Sequence, residues 1–107
     1  MDLFRSIADA LHFSADKMKK NGLFATERFF CDVYAFEAGQ SQTGHRHAGS
    51  DKMYYVLQGR GVFRVEGEER TLGVGNVVLC PAGAEHAVTN PGPDPLAVLV
   101  FMAPPPK

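Results

Sequence analysis

Three of the four histidines, His45, His47 and His86, stand in two spaced patterns that could hold a metal ion. Neutral imidazole is the commonest ligand for a borderline transition metal. Two histidines two residues apart on a strand point to the same face. A third, delivered from a neighbouring strand, closes one side of a coordination sphere. Three protein ligands leave one to three positions open for water, substrate or dioxygen, the usual mark of a catalytic rather than a structural site, the alternative being a vestigial site that merely ties two strands together. Structural zinc sites are closed and rich in cysteine, whereas this chain has only Cys31 and Cys80.

The first pattern reads Gly39, five residues, His45-x-His47 and, after a gap, Gly59. The second reads Gly75, five residues, Pro81-x-Gly83, two residues, His86, three residues, Asn90. Together they resemble the paired motifs of the cupin superfamily over roughly residues 30 to 102. The second motif is matched at every fixed position. The resemblance implies an all-β fold, a double-stranded β-helix or jelly-roll barrel. It also implies a divalent transition metal inside that barrel, held by His45, His47 and His86, and a homodimer, which small cupins commonly form.

The first motif departs from the family pattern at one place. Where the family has a glutamate ligand, with six residues between it and Gly59, stands Lys52, with Asp51 beside it. Neighbours on a regular strand face opposite ways, so Asp51 replaces the missing carboxylate only if a β-bulge turns it round. The favoured expectation is a site of three histidines without a carboxylate. A lysine facing a divalent ion is repelled, so Lys52 either turns away or has a lowered pKa in the pocket. The plainer reading, which we favour, has Lys52 snorkelling to the rim with no chemical role.

With histidine-only ligation the metal could be iron, zinc, nickel, manganese or copper. Loss of the carboxylate removes a negative charge and makes the bound ion a stronger Lewis acid. Tyr54 shares the strand face of Lys52. It is read either as a phenol donor to substrate or as a core aromatic, and Tyr54 and Lys52 are the candidate acid and base. Cys80 either approaches the cavity or packs as a core thiol. Two functions of different class remain open. One is a metal-dependent enzyme of dioxygenase, isomerase or lyase type on a small organic substrate. The other is a non-catalytic metal- and ligand-binding or sensing module, slightly favoured by the missing glutamate.

These residues need strands to position them. Arg28 to Ala38, Lys52 to Gln58, Val62 to Val65, Arg70 to Leu72, Asn76 to Cys80 and Leu96 to Met102 read as strands separated by Gly- and Pro-rich turns. That is the pattern of a sandwich or barrel. Met53, Phe63, Phe36 and Phe101 are interior candidates, and Asn76 to Cys80 reads as buried. Leu96 to Met102 is unbroken apolar sequence, which implies burial on both faces by the N-terminal segment or a second subunit. Leu3, Ile7 and Leu11, with Phe4, predict a helical N-terminal segment over about residues 2–20, and the barrel follows over about 24–103. His12 lies outside both motifs and reads as a surface or structural residue.

At 107 residues the chain is expected to form a single domain. A net charge of −1 gives no electrostatic case for nucleic acid or a membrane surface, which leaves a small molecule as the expected partner. The chain has no apolar run of about 18 residues and no signal-peptide pattern, so a cytoplasmic protein is expected. Two cysteines are too few for a disulfide framework.

Overall fold

The computed structural model describes residues 2–106. Among the described residues nine strands follow a short 3-10 turn at Ile7–Ala10. They are β1 (Lys19–Ala25), β2 (Phe30–Phe36), β3 (Ser41–His45), β4 (Asp51–Gln58), β5 (Arg60–Val65), β6 (Glu68–Gly73), β7 (Val77–Cys80), β8 (His86–Thr89) and β9 (Leu96–Ala103). One sheet has the order β1-β2-β9-β4-β7 and the other β3-β8-β5-β6. All neighbours within each sheet run antiparallel. This is the expected all-β double-stranded β-helix.

The core lies between the sheets. Phe36, Tyr54, Val56, Phe63, Val88, Leu96, Val98 and Val100 are buried there. In β4 the burial alternates: Lys52, Tyr54 and Val56 point inward and Asp51, Met53 and Tyr55 outward. The period-two pleat produces this alternation. A register shift occurs only between Val56 and Gln58, beyond the segment that carries Asp51 and Lys52.

Three expectations are corrected. Residues 2–20 do not form a helix. Only Ile7–Ala10 turn, and Lys19 and Lys20 already pair with Ala35 and Tyr34 of β2. An isolated helix of that length is marginal without a buried stripe, and Phe4 is 84% exposed. Pairing with the free edge of β2 satisfies the backbone of 19–25 instead. The second correction concerns β7, the edge strand of its sheet, where Val77 and Leu79 are each 61% exposed while Cys80 faces the core. Third, Met53 and Phe101 lie on the outer face and are exposed, while Phe36 and Phe63 are interior as expected.

Strand β9 is covered on both faces over most of its length. Leu96, Val98 and Val100 face the core, while Ala97 and Leu99 pack with Ala10, Leu11, Leu23, Val33 and Leu57 outside it. The N-terminal segment therefore supplies part of the outer cover, in extended form. Asn90 ties the barrel end together. It is fully buried, donates its amide to the Phe36 and Asp94 carbonyls (both 2.9 Å) and accepts from the Gly92 N–H at 2.8 Å. Gly59 has φ +73°, and a Cβ there would collide with the Pro95 carbonyl. Only glycine meets both demands.

Candidate metal centre

His45 ends β3 and His86 opens β8, and the two are register partners. His47 lies in the loop just beyond β3. Its backbone is fixed by the second motif, because the Gly83 N–H donates to the His47 carbonyl at 2.9 Å. Gly83 takes φ +81° to do so. The turn that contains Pro81 is held in turn by Asp51, whose carboxylate accepts the Ala82 N–H at 2.9 Å. These bonds stitch the two motifs to each other.

The three imidazoles converge. Each offers a nitrogen, and these nitrogens all lie within 4.8 Å of one another. Ring centroids are 4.2 Å apart for His45 and His86, 4.8 Å for His45 and His47, and 5.9 Å for His47 and His86. His45 Nδ1 lies 2.9 Å from the Thr43 carbonyl and His86 Nδ1 lies 3.1 Å from the Ala84 carbonyl. A carbonyl can only accept, so each Nδ1 carries the proton and each Nε2 keeps its lone pair.

Burial lowers all three imidazole pKa values. It holds His86 down at about 4, with the neighbouring charges of His45, Lys52 and His47 acting the same way against the Ala84 hydrogen bond. His45 is lowered first by burial, and His47 by burial and then by His45. The rings are thus neutral at pH 7, the form that ligates metal. His86 Nε2 is buried with no hydrogen-bond partner. Buried polar atoms are otherwise almost always satisfied. A divalent ion held by one nitrogen from each of the three imidazoles would satisfy it, so the residues present fit such an ion.

Lys52 is only 2% exposed, which corrects the rim reading. Its ammonium lies over the rings of Tyr54 and Tyr34, at 5.0 and 5.2 Å from their centroids, and donates to Gln42 Oε1 at 3.4 Å. Burial, then the charge of Lys20, brings its pKa down to about 8. Tyr54 is also buried and donates to the same Gln42 oxygen at 2.8 Å. Burial raises its pKa well above the usual phenol value. Its ring sits 6.2 Å from that of His86 and 5.7 Å from Phe63. Asp51 is on the opposite face of β4 and does not join the cluster. Cys80, the register partner of Lys52, is a buried core thiol, its pKa pushed up to about 11 by burial. His12 is exposed and outside the cluster.

A cavity of about 580 Å³ opens beside the histidines. His45, His47, Lys52, Tyr34, Gln42 and Asp32 contribute to its wall, with Lys20, Phe30 and Met102. Tyr34, Gln42, Asp32 and Lys20 were not read as site residues from the sequence. Phe30, Asp32, Tyr34 and Phe36 alternate along β2 toward the inner face, and that period was the available signal. Gln42 comes from β3, the strand that also delivers His45.

Comparison with known proteins agrees with this architecture. The family model for the cupin domain matches residues 32–102. An oxalate-binding protein of Thermotoga maritima is 34% identical over 88 residues, covering 82% of this chain and 72% of that protein. A 5-nitrosalicylic acid 1,2-dioxygenase of Bradyrhizobium is 33% identical over 66 residues, covering 62% of this chain and 31% of that enzyme. The crystal structure of TT1209 from Thermus thermophilus superposes with a TM-score of 0.93 at 41% identity, covering 96% of this chain and 98% of that one. The chain spans 31% to 72% of the length of the curated relatives it matches. With the family model covering most of the sequence, and the histidines of both motifs meeting at one point of a jelly-roll barrel, the chain belongs to the cupin family.

Proposed function

We propose that this cupin holds a divalent transition metal on His45, His47 and His86 and presents it to a small organic ligand in the adjoining cavity. The observation that carries this reading is the buried, unpartnered Nε2 of His86, beside two further neutral imidazoles. Iron, zinc, nickel, manganese and copper all suit three imidazoles. An ion held there would supply Lewis acidity toward a ligand oxygen. The chain's own residues do the rest. Gln42 Oε1 accepts from both Tyr54 and Lys52 and so fixes the phenol and the ammonium relative to each other. The Lys52 ammonium, with that of Lys20 and the Tyr34 phenol, is a proton-bearing group on the wall that a ligand in the cavity meets. Tyr54, kept neutral by burial, acts as a donor that positions Gln42 rather than as a base.

We read the protein as a metal-dependent enzyme of dioxygenase, isomerase or lyase type, supported by the dioxygenase relative. Lys52, standing where the family has a carboxylate, favours a second reading, ligand binding without turnover, which the oxalate-binding relative also supports. We also propose a cytoplasmic homodimer. Two free thiols suit a reducing compartment. Met53, Tyr55, Val77, Leu79 and Phe101 form an apolar outer face suited to a second copy.

Metal content by inductively coupled plasma mass spectrometry tests the core of the proposal. Near one equivalent is expected in the wild type and in His12→Ala, and little in His45→Ala, His47→Ala or His86→Ala. Equal content in all five proteins would sink the site. Oxygen-consumption, lyase and isomerase assays on the loaded protein then separate the two readings.

A further inference from the structure

Lys52 poses an electrostatic problem that the fold leaves unsolved. A buried ammonium is expensive unless an anion compensates it. Neither Lys52 nor Lys20 forms an ion pair among the described residues. The only hydrogen-bond partner of the Lys52 ammonium there is the neutral amide oxygen of Gln42, at a long 3.4 Å. Both ammonium groups lie over one ring, that of Tyr34, Lys52 at 5.2 Å and Lys20 at 5.3 Å from its centroid. Aromatic faces attract cations but supply no countercharge.

The charges on the cavity wall decide the sign of what fits. Lys20, Lys52 and Asp32 line it together with His45 and His47. Two ammonium groups against one carboxylate leave a positive wall among the described residues before any metal is counted. A divalent ion on the triad would add two more positive charges. Phe30 and Met102 face the same space and offer an apolar surface to a carbon skeleton.

We propose that this cavity selects a small organic acid, whose carboxylate lies on Lys52 and Lys20 while its other oxygen-bearing end faces the histidine triad. The second contact rests on the proposed metal site, whereas the lysine contact stands on its own. Lys52 is thus a specificity-determining residue. It turns a position that ordinarily supplies a metal ligand into one that holds the ligand's anionic end.

Isothermal titration calorimetry with malonate and succinate, against the neutral malonamide and against inorganic phosphate, tests this on the full chain. Wild type, Lys52→Met and Lys20→Met are each titrated metal-loaded and metal-stripped, with metal content read on the same samples. In wild type a dicarboxylate is expected to bind at least about tenfold more tightly than malonamide or phosphate. Lys52→Met should lose about tenfold and Lys20→Met about threefold, with metal content unchanged, as for loss of a charge-assisted hydrogen bond and of a more exposed charge. Lys20 is exposed, so its variant keeps the test decisive if Lys52→Met does not fold. Absence of dicarboxylate binding at millimolar concentration, equal binding of malonate and malonamide, phosphate binding as tightly, or unchanged affinity in the lysine variants overturns the proposal. A carboxylate preference that persists without metal and vanishes in Lys52→Met upholds it, even where absence of metal from the wild type sinks the triad reading.

Discussion

Lys52 is the residue where this cupin departs from its family's pattern, and its chemistry is set by its surroundings. Removing the ammonium from water lowers its folded pKa from 10.5 to about 8. Below about pH 8 both folded and unfolded chains carry the charge, and the folded state bears the desolvation penalty. Between about 8 and 10.5 the unfolded chain binds more protons, so stability contributed at this site rises with pH and is fully present above 10.5. The gap corresponds to about 3 kcal/mol. Urea denaturation of metal-free protein across this window should show that rise in wild type and lose it in Lys52→Met; parallel curves would place the ammonium in water. Lys52→Glu should tighten metal binding about tenfold, or about 1.4 kcal/mol, by restoring a carboxylate on the inner face of β4. Competition with a chromophoric chelator reads this directly, and unchanged affinity would mean that position 52 does not reach the metal. The triad was legible because motif spacing fixes which residues meet. The burial of Lys52 was not, since inward facing follows from register but depth follows from Tyr34 and Gln42, which arrive from β2 and β3.

At the scale of elements, local pattern was informative wherever a strand alternates and misleading where a competitor for the backbone existed. Strand β4 alternates, and the opposite facing of Asp51 and Lys52 follows from that alone. The N-terminal stretch spaces Leu3, Ile7 and Leu11 as a helix would, yet the free edge of β2 captures residues 19–25. Glycines show the same dependence on context. Gly59 and Gly67 both have positive φ, but a Cβ at Gly59 meets the Pro95 carbonyl while Gly67 faces open space. Gly67→Ala should therefore cost only the backbone strain, about 1 kcal/mol. Gly59→Ala should cost that and more, about 3 kcal/mol in all, because the β4–β5 corner must move away from the start of β9. Chemical denaturation of the two variants checks the difference, and equal losses would show that the close approach at Gly59 carries no penalty of its own.

For the whole molecule, strand order was beyond local pattern: β9, last in the chain, lies between β2 and β4. With β9 on one side of β4 and the edge strand β7 on the other, Phe101 and Leu79 lie to either side of Met53 on one outer face. Tyr55 and Val77 extend this face along the same pair of strands. Apolar side chains in register beside an unpaired sheet edge are a liability for a lone protomer. The N-terminal segment covers the neighbouring part of the sheet, around Ala97 and Leu99, and leaves this part open. The proposed homodimer would bury it. Sedimentation velocity should give a dimer for wild type and a monomer for the double variant Leu79→Lys, Phe101→Lys, since paired charges at the centre of an isologous contact meet their own copies. Both side chains point away from the cavity, so the variant should retain its metal equivalent. A monomer in both proteins would leave the face without a second copy, and a dimer in both would move the interface elsewhere.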